Sequence, residues 1–267
     1  MNTTRSPIFT RSLTLLGRVL SFSMIWSSAF IVGKVGLRYT DPFTLLTARF
    51  LIAALLLLPI CMAPGQRRAF FDHTLIRDAS LLGLMNNALY LGLTFTALRF
   101  ISADLVVIIV SCAPFATSAI AGALGMEKIS LRAIAGIAIG FCGVLIITLS
   151  RPVGTVDPLG VLLAILGTVS FAMATVFYRN KAALHAPQQV NFWQSIVAGV
   201  LLLPLAMANA PSSSSPDHYL PIVASVLYLA IVVTICGMWM WLYLIRQMGA
   251  TAASTCHLAN PVCGLLL

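Results

Sequence analysis

Charge is what this chain has least of. Asp, Glu, Lys and Arg make up 9% of its 267 residues, where a soluble globular domain carries about 25%, and only 7 residues are acidic. So few ions cannot cover a water-soluble surface. The alternating segments of about ten residues that mark a transmembrane β-barrel are also missing. The six cysteines, Cys61, Cys112, Cys142, Cys236, Cys256 and Cys263, make no CxxC pair or other metal-ligand spacing, and all fall in apolar stretches, so they read as buried thiols. No phosphate-binding loop, GxSxG elbow or HExxH pair occurs. ATP-driven transport would therefore need another chain, a membrane enzyme has no nucleophile, base and orienting group to work with, and the sequence calls for no metal and no cofactor.

What is present is apolar length. Hydrophobic residues make up 60% of the chain and its mean hydropathy is +0.99. A hydrocarbon core of about 30 Å takes roughly 20 apolar residues per helix. Apolar windows predict helices over 19–35, 43–62, 81–98, 103–124, 131–149, 159–178, 190–207 and 220–245, with a ninth beginning near Thr251. The N terminus has the outline of a signal peptide, but Arg18 interrupts its apolar run and Lys34 and Arg38 close it, so it reads as a retained first helix. The lipid bilayer is the partner these lengths imply.

The net charge of +9 does not point to nucleic acid, because the 16 basic residues stand singly between apolar stretches instead of forming a stripe. With a cytoplasmic N terminus, eleven of them fall on that side and four on the other, Lys34, Arg38, Arg99 and Arg151, while Arg49 lies inside the second helix. The positive-inside bias thus predicts a cytoplasmic N terminus.

The stretch from Trp26 to Pro59 returns in degenerate form half a chain later. An offset of 145 carries Lys34 onto Arg179, Pro42 onto Pro187, Arg49 onto Gln194 and Pro59 onto Pro204; an offset of 147 carries Arg99 onto Arg246, Ala103 onto Ala250 and Pro114 onto Pro261. Units of five helices, an odd number, enter the membrane from opposite sides. The expected fold is thus an all-α integral membrane protein with two inverted five-helix units, 15–150 and 158–267. The second is expected to be truncated in its ninth helix, about 30 residues short of the first unit's length, so about nine helices stand where ten are expected.

Within this frame the polar residues inside helices are the candidate site. Arg49 lies roughly 9 Å below the outer boundary and either holds an anionic group in an aqueous cavity or snorkels to the interface. Its repeat mate Gln194 lies at a similar depth from the opposite face. Asn87, Tyr90 and Thr94 share a helical face that either lines the path or bonds between helices. Pro114 and Pro261 are matched kink points. His257 is the histidine inside a helix, titrating or packing. Asp104 either binds a coupling proton or pairs with Arg99, and Lys34 and Arg179 either gate a cavity or anchor helix ends. Trp26, Trp239 and Trp241 either form cavity walls or serve packing and the interface. Gly136 and Gly140 form a GxxxG, for packing inside a monomer or for a dimer.

The segments WSSAFIVGKVGLRYTDPFTLLTARF and ALRFISADLVVIIVSCAPFATSAIAGALGMEKISLRAIAGIAIGFCGVLII resemble the EamA-domain members of the drug/metabolite transporter superfamily. The order of elements carries the resemblance: a tryptophan in the first helix, a basic helix end, Ala-Arg-Phe in the second, proline in the fourth, and Gly-Met-Glu before a glycine-bearing fifth. Met126 departs from the family's Gly-Glu. The resemblance implies ten helices in two inverted repeats, alternating access, and secondary transport of a small organic metabolite, an amino acid or derivative favoured, with efflux across a bacterial cytoplasmic membrane. Cavity positions then fall on Trp26, Arg49, Asn87, Tyr90, Pro114, Gln194 and Pro261, with Lys34, Asp104, Arg179 and His257 as candidates for proton binding or gating and a proton or ion as candidate coupling partner. Monomer and homodimer both fit. The competing expectation is a non-transporting membrane subunit or an inactive truncated remnant.

Overall fold

The computed structural model describes residues 7–128, 130–149, 156–209, 219–260 and 262–263. Among these it is helical, with no strand. Helix α1 is Pro7–Gly36 and α2 is Pro42–Cys61. Helix α3 passes without a break through three geometries, α-helical His73–Leu82, π-helical Gly83–Leu91 and α-helical Gly92–Ala97. Helix α4, Ala103–Ala123, is interrupted by a turn at Ser111 and Cys112. Helices α5, Leu131–Leu149, α6, Pro158–Asn180, and α7, Pro187–Asn209, follow. Helix α8, Tyr219–Met248, is π-helical over Leu229–Gly237, and α9 begins as Ala250–Ser254 and tightens into the 3-10 turn Thr255–Ala259. Among the described residues, six helices are long and apolar enough to cross a membrane. Their outer surface is built of side chains such as Leu55, Ile139, Met207 and Leu220, each more than two-thirds exposed, while Ser, Thr, Asn and Gln gather inside. That distribution suits lipid as solvent.

Local chemistry sets the helix starts. Asp41 accepts from the Phe43 and Thr44 amides at 2.9 and 3.0 Å ahead of Pro42, and Asp157 accepts from the Leu159 amide at 2.8 Å ahead of Pro158. Asp-Pro thus caps two helices in the same manner, each cap worth about 1 kcal/mol. Helix α9 is capped from outside itself. Glu127, in the α4–α5 linker, accepts from the Ala250 and Thr251 amides at 2.7 and 3.1 Å. Gly249 makes this possible, because its φ is +89° and a Cβ there would lie 2.9 Å from Glu127 Oε1.

Helices α2 and α7 cross antiparallel at the centre, with Cys61 against Gln188 and Leu51 against Gly199. A Cβ on Gly199 would meet Leu51 Cδ2 at 2.7 Å, so the absence of a side chain sets this approach. Contacts obey the exchange expected of an inverted repeat: α3 packs on α6 and α7 as α8 packs on α1 and α2, and α4 on α6 as α9 on α1. The two π segments also correspond, 83–91 with 229–237 at an offset of 146.

Three expectations need correction. Helix α1 begins at Pro7 instead of near residue 19, because Arg11 and Arg18 lower the hydropathy of its first turns without ending the helix. Cys142 and Cys236 are exposed on the bundle surface; among the six cysteines, Cys61, Cys256 and Cys263 are buried and Cys112 is half-buried. Helix α3 begins at His73 instead of near residue 81, because HTLIRDAS is amphipathic and buries Leu75, Asp78 and Ala79 beneath a charged face that lowers its hydropathy.

Candidate functional site

Arg49 projects from the first half of α2 and is 2% exposed. It is turned into the bundle, not out to the interface. Its Nε donates to Thr234 Oγ1 at 2.9 Å, and its guanidinium lies 5.1 Å from the Phe50 ring centroid. Thr234 in turn donates to the Leu229 carbonyl at 2.9 Å, a bond across five residues that belongs to the π segment of α8. The same turn of α8 receives Asn191 from α7, whose Nδ2 donates to the Thr234 carbonyl at 2.6 Å, and Gln194 Nε2 donates to Asn191 Oδ1 at 3.1 Å. Arg49 and Gln194, repeat mates, are thereby joined through Thr234 and Asn191. An arginine at the bilayer centre costs about 2.5–3.5 kcal/mol on insertion scales, so this network is expensive to keep.

The other π segment faces the same region. Asn86 Nδ2 donates to Asn87 Oδ1 at 3.1 Å and lies 3.7 Å from Met238 Sδ, one turn beyond Thr234. Tyr90 sits beside Trp26 and in the field of Arg49, with no hydrogen bond of ordinary geometry on its hydroxyl. Arg49 Nη1, Asn87 Nδ2, Tyr90 OH and Gln194 Oε1 are all buried without a partner. Buried polar atoms are normally paired, so these four are open to a partner that the folded chain does not supply. A π turn adds a residue to the helical turn and is frequent at functional sites. Thr94 does not share in the cluster, because its hydroxyl bonds the Tyr90 carbonyl of its own helix at 2.7 Å. The face expected from α-helical spacing is thus redrawn by the π geometry.

Next to Tyr90 lies a ring cluster. The His257 imidazole stands 5.5 Å from Phe22, 5.4 Å from Trp26, 5.0 Å from Phe171 and 4.9 Å from Trp241, steeply inclined to each. Its Nδ1 is 3.0 Å from Asn260 Nδ2 and its Nε2 has no partner. Tyr90 joins through Phe171 at 4.7 Å. Trp26 and Trp241 are therefore inside, whereas Trp239 is half exposed and stacks on Tyr243.

The remaining candidates are scattered. Pro114 is buried in the first turn of the second segment of α4, just after the break, as expected of a kink. Lys34 is exposed near the end of α1. Asp104 is exposed in the first turn of α4. Arg179 is exposed and donates to the Arg246 carbonyl at 3.0 Å. Pro261 lies outside the described residues. Gly140 admits Leu258 of α9, whose Cδ1 would lie 2.7 Å from an added Cβ, while Gly136 faces open space. Thr234 and Asn191 escaped the sequence reading. A lone threonine in an apolar run is too weak a signal to single out.

The end of the bundle shared by the α2–α3 and α6–α7 linkers is closed across the two halves. Gln189 Nε2 donates to the Gln66 carbonyl at 3.2 Å, Trp193 Nε1 to the Phe70 carbonyl at 3.0 Å, and His185 lies 3.7 Å from the buried Asp78 carboxylate. A polar cleft of about 720 Å³ opens outside this closure, lined by Gln66, Arg68, Asp72, His73 and His185 among others.

An apolar exterior, a polar interior at the crossing of two repeat-related helices, and end closures between the halves define a membrane transporter with an inverted repeat. Comparison with known proteins agrees. The EamA-like transporter family model matches residues 15–149 and 158–267, and the chain belongs to that family. The inner membrane transporter YedA of Escherichia coli is 26% identical over 97% of this chain and 83% of its own length. A Salmonella typhimurium protein named "Probable amino-acid metabolite efflux pump" is 26% identical, covering 91% of this chain and 81% of itself. A solved crystal structure superposes with a TM-score of 0.73 at 18% identity, over 92% of this chain and 85% of that one, and so shares the fold.

Proposed function

We propose that this transporter exports a small organic metabolite, an amino acid or derivative, across the cytoplasmic membrane by alternating access. Units 15–150 and 158–267 rock against one another about the α2–α7 crossing, with the N terminus in the cytoplasm. The observation that carries the reading is the set of buried, unpartnered polar atoms drawn from both units, Arg49 on α2 and Gln194 on α7 with Asn87 and Tyr90 on the π segment of α3. The name of the Salmonella relative supports the direction and the class of substrate. A proton or ion as driving partner belongs to the same proposal, with His257 as one interior titratable group. The exposed positions of Lys34, Asp104 and Arg179 suit gating or anchoring at the bundle ends better than substrate contact.

The test is metabolite profiling by mass spectrometry, inside and outside cells that overproduce the chain, with an Arg49→Ala variant at the same expression level. A compound leaving the cells only with the native chain is the expected result. Equal export by both chains removes Arg49 from the path, and no export by either overturns the proposal.

A further inference from the structure

We infer that the transported species is an organic monoanion, a carboxylic acid without a free ammonium group, which binds in the interior as the counter-ion of Arg49. The inference rests on the transport reading above and begins with charge. Arg49 Nε is committed to Thr234, Nη1 has no partner, and the ionisable neighbour that acts on the guanidinium is Tyr90. Six of the chain's seven carboxylates are described, and all six stand at helix ends or in linkers. Asp41 and Asp157 cap α2 and α6, Asp72 and Asp78 lie at the start of α3, Asp104 is in the first turn of α4, and Glu127 holds the N terminus of α9. Asp217 lies outside the described residues. Among the described residues, the Arg49 guanidinium thus has no carboxylate against it. A buried unpaired ion is costly, and a ligand carrying one negative charge removes that cost.

The donors fit a carboxylate. Arg49 Nη1, Asn87 Nδ2 and the Tyr90 hydroxyl are all unused, and a guanidinium offers the planar, charge-assisted bonds that a carboxylate accepts best. A dianion such as a phosphate monoester would bring one negative charge more than the site neutralises. A zwitterion would bring an ammonium that finds only the neutral oxygens Gln194 Oε1 and Asn86 Oδ1 open to it. The two buried carboxylates stand apart from Arg49, Asp78 with Arg77 and His185 at the closed end and Asp41 at the start of α2, and the rings that would hold the ammonium by cation–π attraction, Phe22, Trp26, Phe171 and Trp241, already enclose the His257 imidazole at 4.9 to 5.5 Å.

The experiment uses the full chain in liposomes and two matched series, one on a phenylalanine and one on a leucine side chain. Each series holds the free amino acid, its N-acetyl acid and the N-acetyl amide, so that zwitterion, monoanion and neutral compound differ in charge on one skeleton. The N-acetyl acid is expected to cross at least tenfold faster than the other two. Arg49→Gln is expected to abolish that preference and Arg49→Lys to retain part of it. Equal or faster movement of the amino acid or the amide through the native chain overturns the inference, and this comparison needs no variant to fold. Should no compound of either series cross, the charge of the compound found by profiling decides: a monoanion upholds the inference and a zwitterion or cation overturns it. No export in either experiment overturns the transport reading, and this inference with it.

Discussion

Arg49 and Thr234 stand 185 positions apart in the chain and share a hydrogen bond of 2.9 Å inside the bundle. One comes from the first half and the other from the π segment of the second. The bond fixes where the guanidinium points and leaves Nη1 unused. It ties the charged group of the site to a helix geometry that another fold of α8 would not offer, since the same hydroxyl closes on Leu229 five residues back.

Thr234→Val keeps the shape of the side chain and removes both bonds. A hydrogen bond to a charged group is worth about 1.5–3 kcal/mol, so substrate affinity should weaken by roughly tenfold or more while expression and helix content stay as in the native chain. Transport kinetics in liposomes read this as a rise in KM. An unchanged KM would separate Thr234 from the site.

Exchange should outrun net efflux. A carrier returning empty takes the Arg49 charge through the closed state without a counter-ion, and about 2.5–3.5 kcal/mol for a central arginine corresponds to roughly a hundredfold in rate. Release of an accumulated acid from liposomes should therefore speed up by one to two orders of magnitude when the same acid is added outside. Equal rates with and without external acid would contradict the charge argument.

Glycines divide into those the fold needs and those it does not. A Cβ on Gly83 would lie 2.6 Å from the Gln194 backbone carbonyl, whereas one on Gly136 meets nothing within 4 Å. Gly83→Ala should cost about 1–3 kcal/mol through overpacking between α3 and α7, and Gly136→Ala should be neutral or slightly stabilising in a helix. Thermal unfolding in detergent compares the two, and similar melting shifts would refute the close approach.

Glu127→Ala removes the external cap of α9, at a cost of about 0.5–2 kcal/mol by the measure of ordinary N-caps. Faster amide exchange at Ala250 and Thr251 is the direct readout. Glu127→Gln keeps one acceptor oxygen and should retain part of the protection. Unaltered exchange in Glu127→Ala would mean that the cap does not hold the helix.

Much of the architecture was legible beforehand. The α2, α4 and α5 boundaries fall within a residue of the apolar windows, and the offset that matched Arg49 with Gln194 finds both buried at the α2–α7 crossing. Thr234, Asn191 and the π turns were not legible. A π turn leaves composition and hydropathy unchanged, and a single threonine in VVTICG looks like filler until its partner is known.

Hydropathy and repeat spacing are sums over local sequence, so the chain by itself determined that it spans a membrane, that its halves are related, and that it resembles a transporter family. Which polar atoms meet is a matter of helix rotation, where a slip of one residue turns a side chain by about 100°. That rotation is fixed by packing between distant segments, such as Leu51 against Gly199 and Gly83 against Gln194. Only the tertiary structure therefore decided that Arg49 faces inward to Thr234 and that four aromatic rings close around His257.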